Sequence, residues 1–424
     1  MARAVATMPG RERGTGNCSG PHVVRQTKSS PVGVLVGSAD AAESARADQQ
    51  WAQRPLECLA VTPPGHPYMA VDELESLGIS AQEDPAGALF AVAPDRLAGL
   101  LRVLRVPSRL LLRVAQGRAD QLSDVQNLLQ RVPWFALPQP LPPLQVRLSS
   151  EQARPAKAKW ILEELLRQLR ASGRTLVQDA PEEGDAGGLQ IVARYVKDTL
   201  QLSIDVAGRP MHHRGWRLQA GPAPMRETLA QAILRLAQYN PLEPLWDPMT
   251  GSGTLAIEAA TWLRPLPMEL QTFSVDSWNI AHKAWPTAPG LAHAAIVAGD
   301  QDAVVLAMAV ANAGRAGVAE EIDFQAREIL QQIPTIANTG LVVANPPWGQ
   351  RLGGRNAARR LYERLGAVLA RRVPGWRAAI LVPERNLAQE LPIINCTWDR
   401  LQAGGLAVWL VRGTIAAQAK GGHR

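Results

Sequence analysis

Three short stretches carry side chains whose types and spacing could do chemistry. The first is "LVVANPPWGQR", residues 341–351. Leu341, Val342, Val343 and Ala344 form an apolar run that Pro346 and Pro347 end abruptly, because proline neither donates to a sheet nor continues a helix. Asn345 and Trp348 are thereby predicted at a strand's carboxyl end, where open α/β sheets keep their ligands. A turn with a packing tryptophan is the plainer alternative. The second stretch, "WDPMTGSGTLAIEAA" (246–260), sets Asp247 at a strand end, followed by Met249, Thr250, Gly251, Gly253 and then a helix opening at Thr254. The glycines permit a tight turn and close approach to a ligand. The helix start offers N–H groups to a carboxylate, and Asp247 is placed to accept from an ammonium or hydroxyl. The spacing is neither GxxxxGK[ST] nor GxGxxG. A ligand holding both a carboxylate and an ammonium fits better than a nucleotide phosphate, although an ordinary strand-to-helix turn reads the same way. In the third, "VAGDQDA", Asp300 is predicted to take ribose hydroxyls and Asp302 to cap the next helix. Beyond it, Glu328 in "FQAREIL" is either an acceptor for an adenine amino group or a solvated charge.

These stretches need elements to position them. From about residue 216, apolar strands alternate with polar or glycine-rich turns and helices, the pattern of a doubly wound parallel α/β sheet. "APMRETLAQAILRLAQY" (223–239) is the first helix, with proline near its start. Upstream the pattern is α+β. "YMAVDELESLG" is an amphipathic helix stopping at Gly78, "ALFAVAP" a strand, "DRLAGLLRVL" a helix capped by Asp95, and "SRLLLRVAQG" a strand. "LPQPLPPL" (137–144) is a loop rather than a linker, since alternation resumes at once. "AKWILEELLRQLRASG" is a helix with a glycine stop, and residues 189–208 a two-stranded hairpin. Residues 1–55 and 417–424 lack periodicity and are expected to be a disordered extension and tail. The folded domains are then 56–208 and 209–416.

The 424 residues exceed one ordinary core. No apolar run is long enough to span a bilayer, and the amino terminus lacks a secretory core. Cys18, Cys58 and Cys396 stand apart, with no metal-ligand spacing, which fits a reducing cytoplasm and no metal. A net charge of +7, mostly arginine, points to a polyanionic partner. Arg102, Arg105, Arg109, Arg113 and Arg118 crowd the first half. Arg351, Arg355, Arg359, Arg360, Arg364, Arg371 and Arg372 follow the Asn345 strand with only Glu363 opposing them.

DPMTGSGT, GDQD and NPPWGQR, in that order and spacing, resemble the class I S-adenosylmethionine-dependent methyltransferases that alkylate exocyclic amino nitrogens. "GRPMHHRGWRLQAGPAPMRETLAQAIL" (208–234) narrows the resemblance to THUMP-domain ribosomal RNA guanine-N2 methyltransferases of the RlmL type. The likeness is specific over about 210–415 and diffuse over 56–207, which is similar to that family's ferredoxin-like piece and THUMP RNA-binding domain. The resemblance implies a Rossmann-like methyltransferase domain that binds S-adenosylmethionine through Asp247, Met249, Thr250, Gly251, Gly253, Thr254, Asp300, Glu328 and Asn345. It implies catalysis at Asn345, Pro346, Pro347 and Trp348. Asn345 Oδ1 and the Pro346 carbonyl would accept the target amine's two N–H groups while Trp348 stacks on a flipped base. RNA contacts are expected from Arg351, Arg355, Arg214 and Arg109, whereas His212 and His213 are expected in inter-domain packing. The partner would be large-subunit (23S) ribosomal RNA or a precursor particle. Transfer-RNA guanine, adenine N6, and a catalytically silent assembly factor are the alternatives. Thr250, Trp348 and Glu328 depart from the commoner Cys, Tyr or Phe, and Asp. A second methyltransferase fused downstream in some relatives is expected to be absent from a chain ending at Arg424.

Overall fold

Strand β1 (Leu56–Val61), helix α1 (Tyr68–Ser76), strands β2 (Ala81–Asp84) and β3 (Gly87–Val92), helix α2 (Leu97–Val103) and strand β4 (Arg109–Arg118) follow one another in the computed structural model. They build the order β2-β3-β1-β4, a ferredoxin-like βαββαβ unit. The structure describes residues 54–417 apart from 64, 152–154, 178–188, 219–224, 263, 265–270, 287–292, 336 and 349–353. The expected disordered ends, save residues 54, 55 and 417, lie outside the described residues, as do Arg351 and Pro224. Contacts divide the chain after Arg46, so the description concerns the second unit, Ala47–Arg424. Helix α1 buries Met69, Ala70, Glu73 and Leu74, the spacing of a single face. Asp95 does not cap α2. The helix is entered through a 3-10 turn at Pro94–Arg96, and the Asp95 carboxylate lies 2.5 Å from Lys283 Nζ instead.

The chain continues through α3 (Leu122–Gln130), β5 (Leu144–Glu151), α4 (Pro155–Ala171), β6 (Leu189–Val196) and β7 (Thr199–Asp205). Helix α4 makes the crossover between parallel β5 and β6. Lys197 and Asp198, at φ 45° and 64°, form the two-residue turn of the β6–β7 hairpin. Sequence reading expects a ferredoxin-like piece followed by a THUMP RNA-binding domain. The structure joins them in a single seven-stranded sheet, because β4 pairs with β1 at one edge and β7 at the other. The proline-rich loop is packed, with Leu137 and Leu144 fully buried.

After α5 (Glu227–Leu236) come β8 (Leu245–Asp247), α6 (Thr254–Ala260), β9 (Ile296–Asp300), α7 (Ala303–Ala316), β10 (Ile322–Ala326) and β11 (Leu341–Ala344). Then follow α8 (Arg355–Arg372), β12 (Arg377–Val382), β13 (Ile393–Ala403) and β14 (Leu406–Ile415). The second sheet runs β10-β9-β8-β11-β12-β14-β13. Its first five strands are parallel, while β14 runs antiparallel to β12 and β13. The winding direction switches between β8 and β11, where doubly wound sheets open a crevice. Both faces are covered, which is why β11 is apolar throughout. Leu245, Leu341 and Val343 join the core that also holds α5 and the amino-terminal sheet. Trp246, Val342 and Ala344 pack with α8 residues Tyr362, Leu365 and Leu369. Among the described residues no helix is long and apolar enough to cross a membrane.

Candidate active site

Asp247 ends β8 and is 1% exposed, yet neither carboxylate oxygen has a hydrogen-bond partner. Burial pushes its pKa up to about 7; the nearby Thr250 hydroxyl and Met249 N–H pull it down, and Asp300 adds to the rise. The loop beyond is anchored by its backbone. Thr250 N donates to the Gly299 carbonyl at 2.9 Å, and Gly253 N to the Thr250 carbonyl at 2.9 Å. Gly251 and Gly253 take φ of +57° and +89°. A Cβ at 253 would stand 3.0 Å from the Ala309 side chain, while one at 251 would point into open space. Gly251 thus keeps its side open toward the crevice, as a cradle for a ligand requires. Thr254 opens α6, and its hydroxyl accepts from Arg217 at 2.8 Å.

Asp300 ends β9. One of its oxygens accepts from Gly251 N at 3.1 Å and the other from Asp302 N at 2.9 Å, so it ties the loop after β8 to β9. Asp302 caps α7, accepting from Val304 and Val305 N, as expected. A residue that no motif signals completes this framework. Gln332 is 1% exposed; its carbonyl oxygen accepts from Trp246 Nε1 at 3.1 Å. Its amide nitrogen donates to the Pro248 carbonyl at 3.0 Å and the Arg327 carbonyl at 3.1 Å. Gly299 is glycine for the same reason, since a Cβ there would fall 2.1 Å from Gln332 Oε1.

Asn345 follows β11. The register Leu341 opposite Leu245 and Val342 opposite Trp246 carries it past Asp247 on the adjacent strand. Its Oδ1 is buried without a partner, and so is Trp348 Nε1. Pro346 is buried, Pro347 half-buried, and the Trp348 ring rests against the main core. Glu328 lies just beyond β10; it is exposed and paired with Arg364 at 3.1 Å. Glu328, Asp300, Asp247 and Asn345 therefore follow four successive strands of one sheet edge. At about 4.8 Å per strand they span about 14 Å. Met249 is half-buried against the α8 side.

The arginines behave differently from their sequence reading. Arg214 is 1% exposed and lies 3.5 Å from Glu258; it also donates to the Met211 carbonyl at 2.7 Å and to the Arg105 carbonyl. It is an interior residue and not a surface RNA contact. Arg109 binds Asp205 at 2.5 Å and Gln190 at 3.0 Å. Arg102 pairs with Asp276, Arg113 with Glu57 and Arg118 with Asp120, while Arg105 is buried. The expected basic surface of the first half is therefore largely neutralised by carboxylates, three of the four distant in sequence and Asp120 nearby. On α8, Glu363 is not alone, because Glu390, Glu328 and Glu384 approach Arg359, Arg364 and Arg355. Arg355 remains 92% exposed. His212 is buried, and burial beside His213 and three arginines holds its pKa down near 3. His213 is exposed, its ring edge-on to that of His212 at 4.3 Å, so only the first histidine is buried.

Orphaned buried acceptors mark where donors belong. Asp247 suits an ammonium or hydroxyls, and Asn345 Oδ1 an N–H, one strand apart. An amino-acid-bearing nucleoside on the Asp247 side and an amine on the Asn345 side would satisfy both.

Residues 214–393 match the family model described as RMKL-like, methyltransferase domain. A ribosomal RNA large subunit methyltransferase K/L from Alcanivorax borkumensis is 31% identical over 77% of this chain and 48% of that protein. One from Legionella pneumophila is likewise 31% identical, over 84% of this chain and 52% of its own length. The chain thus spans about half the length of these curated relatives. Among solved structures, TrmN from Thermus thermophilus superposes with a TM-score of 0.64 at 22% identity, over 85% of this chain and 99% of that one. A Listeria monocytogenes protein described as a predicted N6-adenine-specific DNA methylase gives 0.68 at 24% identity, over 86% and 97%. The carboxyl-terminal sheet has the class I methyltransferase fold.

Proposed function

We propose, from the RMKL-like methyltransferase domain at residues 214–393, that this chain methylates an exocyclic amino nitrogen of ribosomal RNA at the expense of S-adenosylmethionine. The target we infer is guanosine N2 in the large-subunit (23S) RNA, reached in the cytoplasm. One observation carries the reading: two unpartnered acceptors, Asp247 and Asn345, end neighbouring parallel strands at the switch in winding. The large-subunit names of the relatives support RNA as the substrate.

Asp247, Met249, Thr250, Gly251, Gly253, Thr254, Asp300 and Glu328 would hold the cofactor, with the Asn345 backbone at its methyl end. When bound, it supplies an already activated methyl group. The chain's own task is then positioning. An exocyclic amine is a poor nucleophile because its lone pair is delocalised into the ring. Asn345 Oδ1 and the Pro346 carbonyl accept its two N–H groups, which favours a pyramidal nitrogen with its lone pair aimed outward. Pro346 and Pro347 hold that acceptor pair rigid. Trp348 stacks on the flipped base, worth about 1–3 kcal/mol, and offsets part of an unstacking cost of a few kcal/mol. Residues 56–208, the ferredoxin-like unit with its THUMP-type extension, would hold the RNA, and residues 209–416 would carry the chemistry.

The test is transfer of labelled methyl from S-adenosylmethionine to ribosomal RNA taken from cells lacking this protein, with nucleoside mapping by mass spectrometry. N2-methylguanosine in the large-subunit RNA is expected. N6-methyladenosine, or label confined to transfer RNA, would overturn the target; no transfer at all would overturn the activity.

A further inference from the structure

We propose that Arg385, stacked on Trp409 and Trp398, is a phosphate-binding site for the RNA strand flanking the target nucleotide. The proposal rests on the RNA methyltransferase reading. The Arg385 guanidinium carbon lies 3.7 Å from the Trp409 ring centre and 4.9 Å from that of Trp398. Arg385 is exposed, and no carboxylate among the described residues pairs with it. Its neighbours differ: Arg359 is neutralised by Glu363 and Glu390, and Arg412 by Asp399.

The placement is what points to RNA. Arg385 opens the short 3-10 stretch Arg385–Glu390 just after β12, at the carboxyl edge that also carries Asn345. Trp409 of β14 stands opposite Val382, the last residue of β12. β12 in turn lies beside β11. The stack is therefore two strands from the strand of Asn345, about 10 Å. Arg400 of β13 stands opposite Trp409 and is exposed. Arg355, at the start of α8, is 4.0 Å from Glu384, the residue before Arg385. Arg385, Arg400 and Arg355 thus line this edge, and of the three only Arg355 has an ion pair among the described residues, to Glu384; the nearby Glu390 and Asp399 are taken by Arg359 and Arg412.

Stacking explains why the site favours a phosphate. An indole face holds the guanidinium flat without cancelling its charge. The fork of N–H donors, unpaired with any carboxylate among the described residues, then suits two oxygens of one phosphate. A strand whose target base is turned into the Asn345 site would have neighbouring phosphates within reach of this rim.

The test uses the full chain with Arg385→Ala and Arg385→Gln; the glutamine amide keeps a flat group on the tryptophans without charge. Binding to a short single-stranded RNA is measured against salt concentration, alongside S-adenosylhomocysteine affinity and methyl transfer. Both variants should bind RNA severalfold more weakly, with the salt slope reduced by about 0.7, the loss of one phosphate contact on a single strand. Cofactor affinity should be unchanged. Wild-type slope and affinity in both variants, in a protein that still transfers methyl, would overturn this site alone. A wild-type chain that neither binds nor methylates RNA would overturn it together with the proposed function.

Discussion

Asp247 makes a prediction in which stability and function move in opposite directions. Its carboxyl is buried, neither oxygen has a well-formed hydrogen bond, and burial raises its pKa from 3.8 to about 7 even with the Thr250 hydroxyl and Met249 N–H nearby. That costs the ionised form about 4 kcal/mol relative to water. In the unfolded chain the group ionises near its ordinary value, whereas in the ligand-free fold it keeps its proton until about pH 7. The folded state then binds more protons between these values, so stability falls as pH rises across that window. Asp247→Asn removes the titration while keeping the shape. Cofactor-free protein should gain more from this substitution at pH 8 than at pH 5, by about 2–3 kcal/mol. Effects of the substitution that do not depend on pH cancel in that difference. The same variant should lose most of its affinity for S-adenosylhomocysteine, because the acceptors for the ligand's donors are halved and an amide N–H is added. Urea unfolding at the two pH values and calorimetric titration measure both quantities. An equal effect at both pH values would refute the buried, ionisable orphan, and unaltered cofactor affinity would refute its role.

Asn345→Ala should lower methyl transfer by about 10²–10³, the usual cost of losing one preorganised hydrogen-bonding group, with cofactor affinity retained; single-turnover transfer to RNA checks it. Gln332→Met removes three hydrogen bonds while preserving volume. Leaving the Trp246 N–H and two carbonyls buried and unpaired should cost about 2–4 kcal/mol in denaturant unfolding, and it should weaken cofactor binding as the Pro248 loop loosens. Glu73, 2% exposed, accepts from Arg235 at 2.8 Å and from the Arg105 and Val106 N–H groups. Glu73→Ala should destabilise by about 3–5 kcal/mol by stranding the half-buried Arg235 together with the buried Arg105 and Val106 N–H groups, read from the unfolding midpoint.

Local patterns carried much of the architecture. The run Leu341–Ala344 with its prolines, the glycine turn after Asp247 and the Asp302 cap are decided within a few residues, so they are legible. The remainder depends on partners far apart in sequence. Arg102 meets Asp276 and Arg109 meets Asp205, so a dense run of arginines does not make a basic surface. Asp95 looks like a cap until Pro94 starts a 3-10 turn and Lys283 arrives. Gln332 has no sequence signature, because two of its three partners are backbone carbonyls and the third is an indole 86 residues away. The sharing of β4 by two units, and the Arg385 stack built on the β13–β14 hairpin, likewise arise only in three dimensions.

The continuity of core between the amino-terminal sheet and α5, reinforced by Glu73 and Arg235, has a mechanical consequence. Extensive apolar contact removes the hinge freedom that neighbouring domains otherwise keep. On the proposed function, any RNA feature held by the first half would lie at a constant offset from Asn345. Such a rigid caliper would then select a nucleotide by its distance from a folded landmark, with local sequence secondary. Lengthening the RNA between landmark and target by one base pair should abolish modification rather than shift it to the neighbouring residue, and methylation that follows the sequence instead would contradict the caliper.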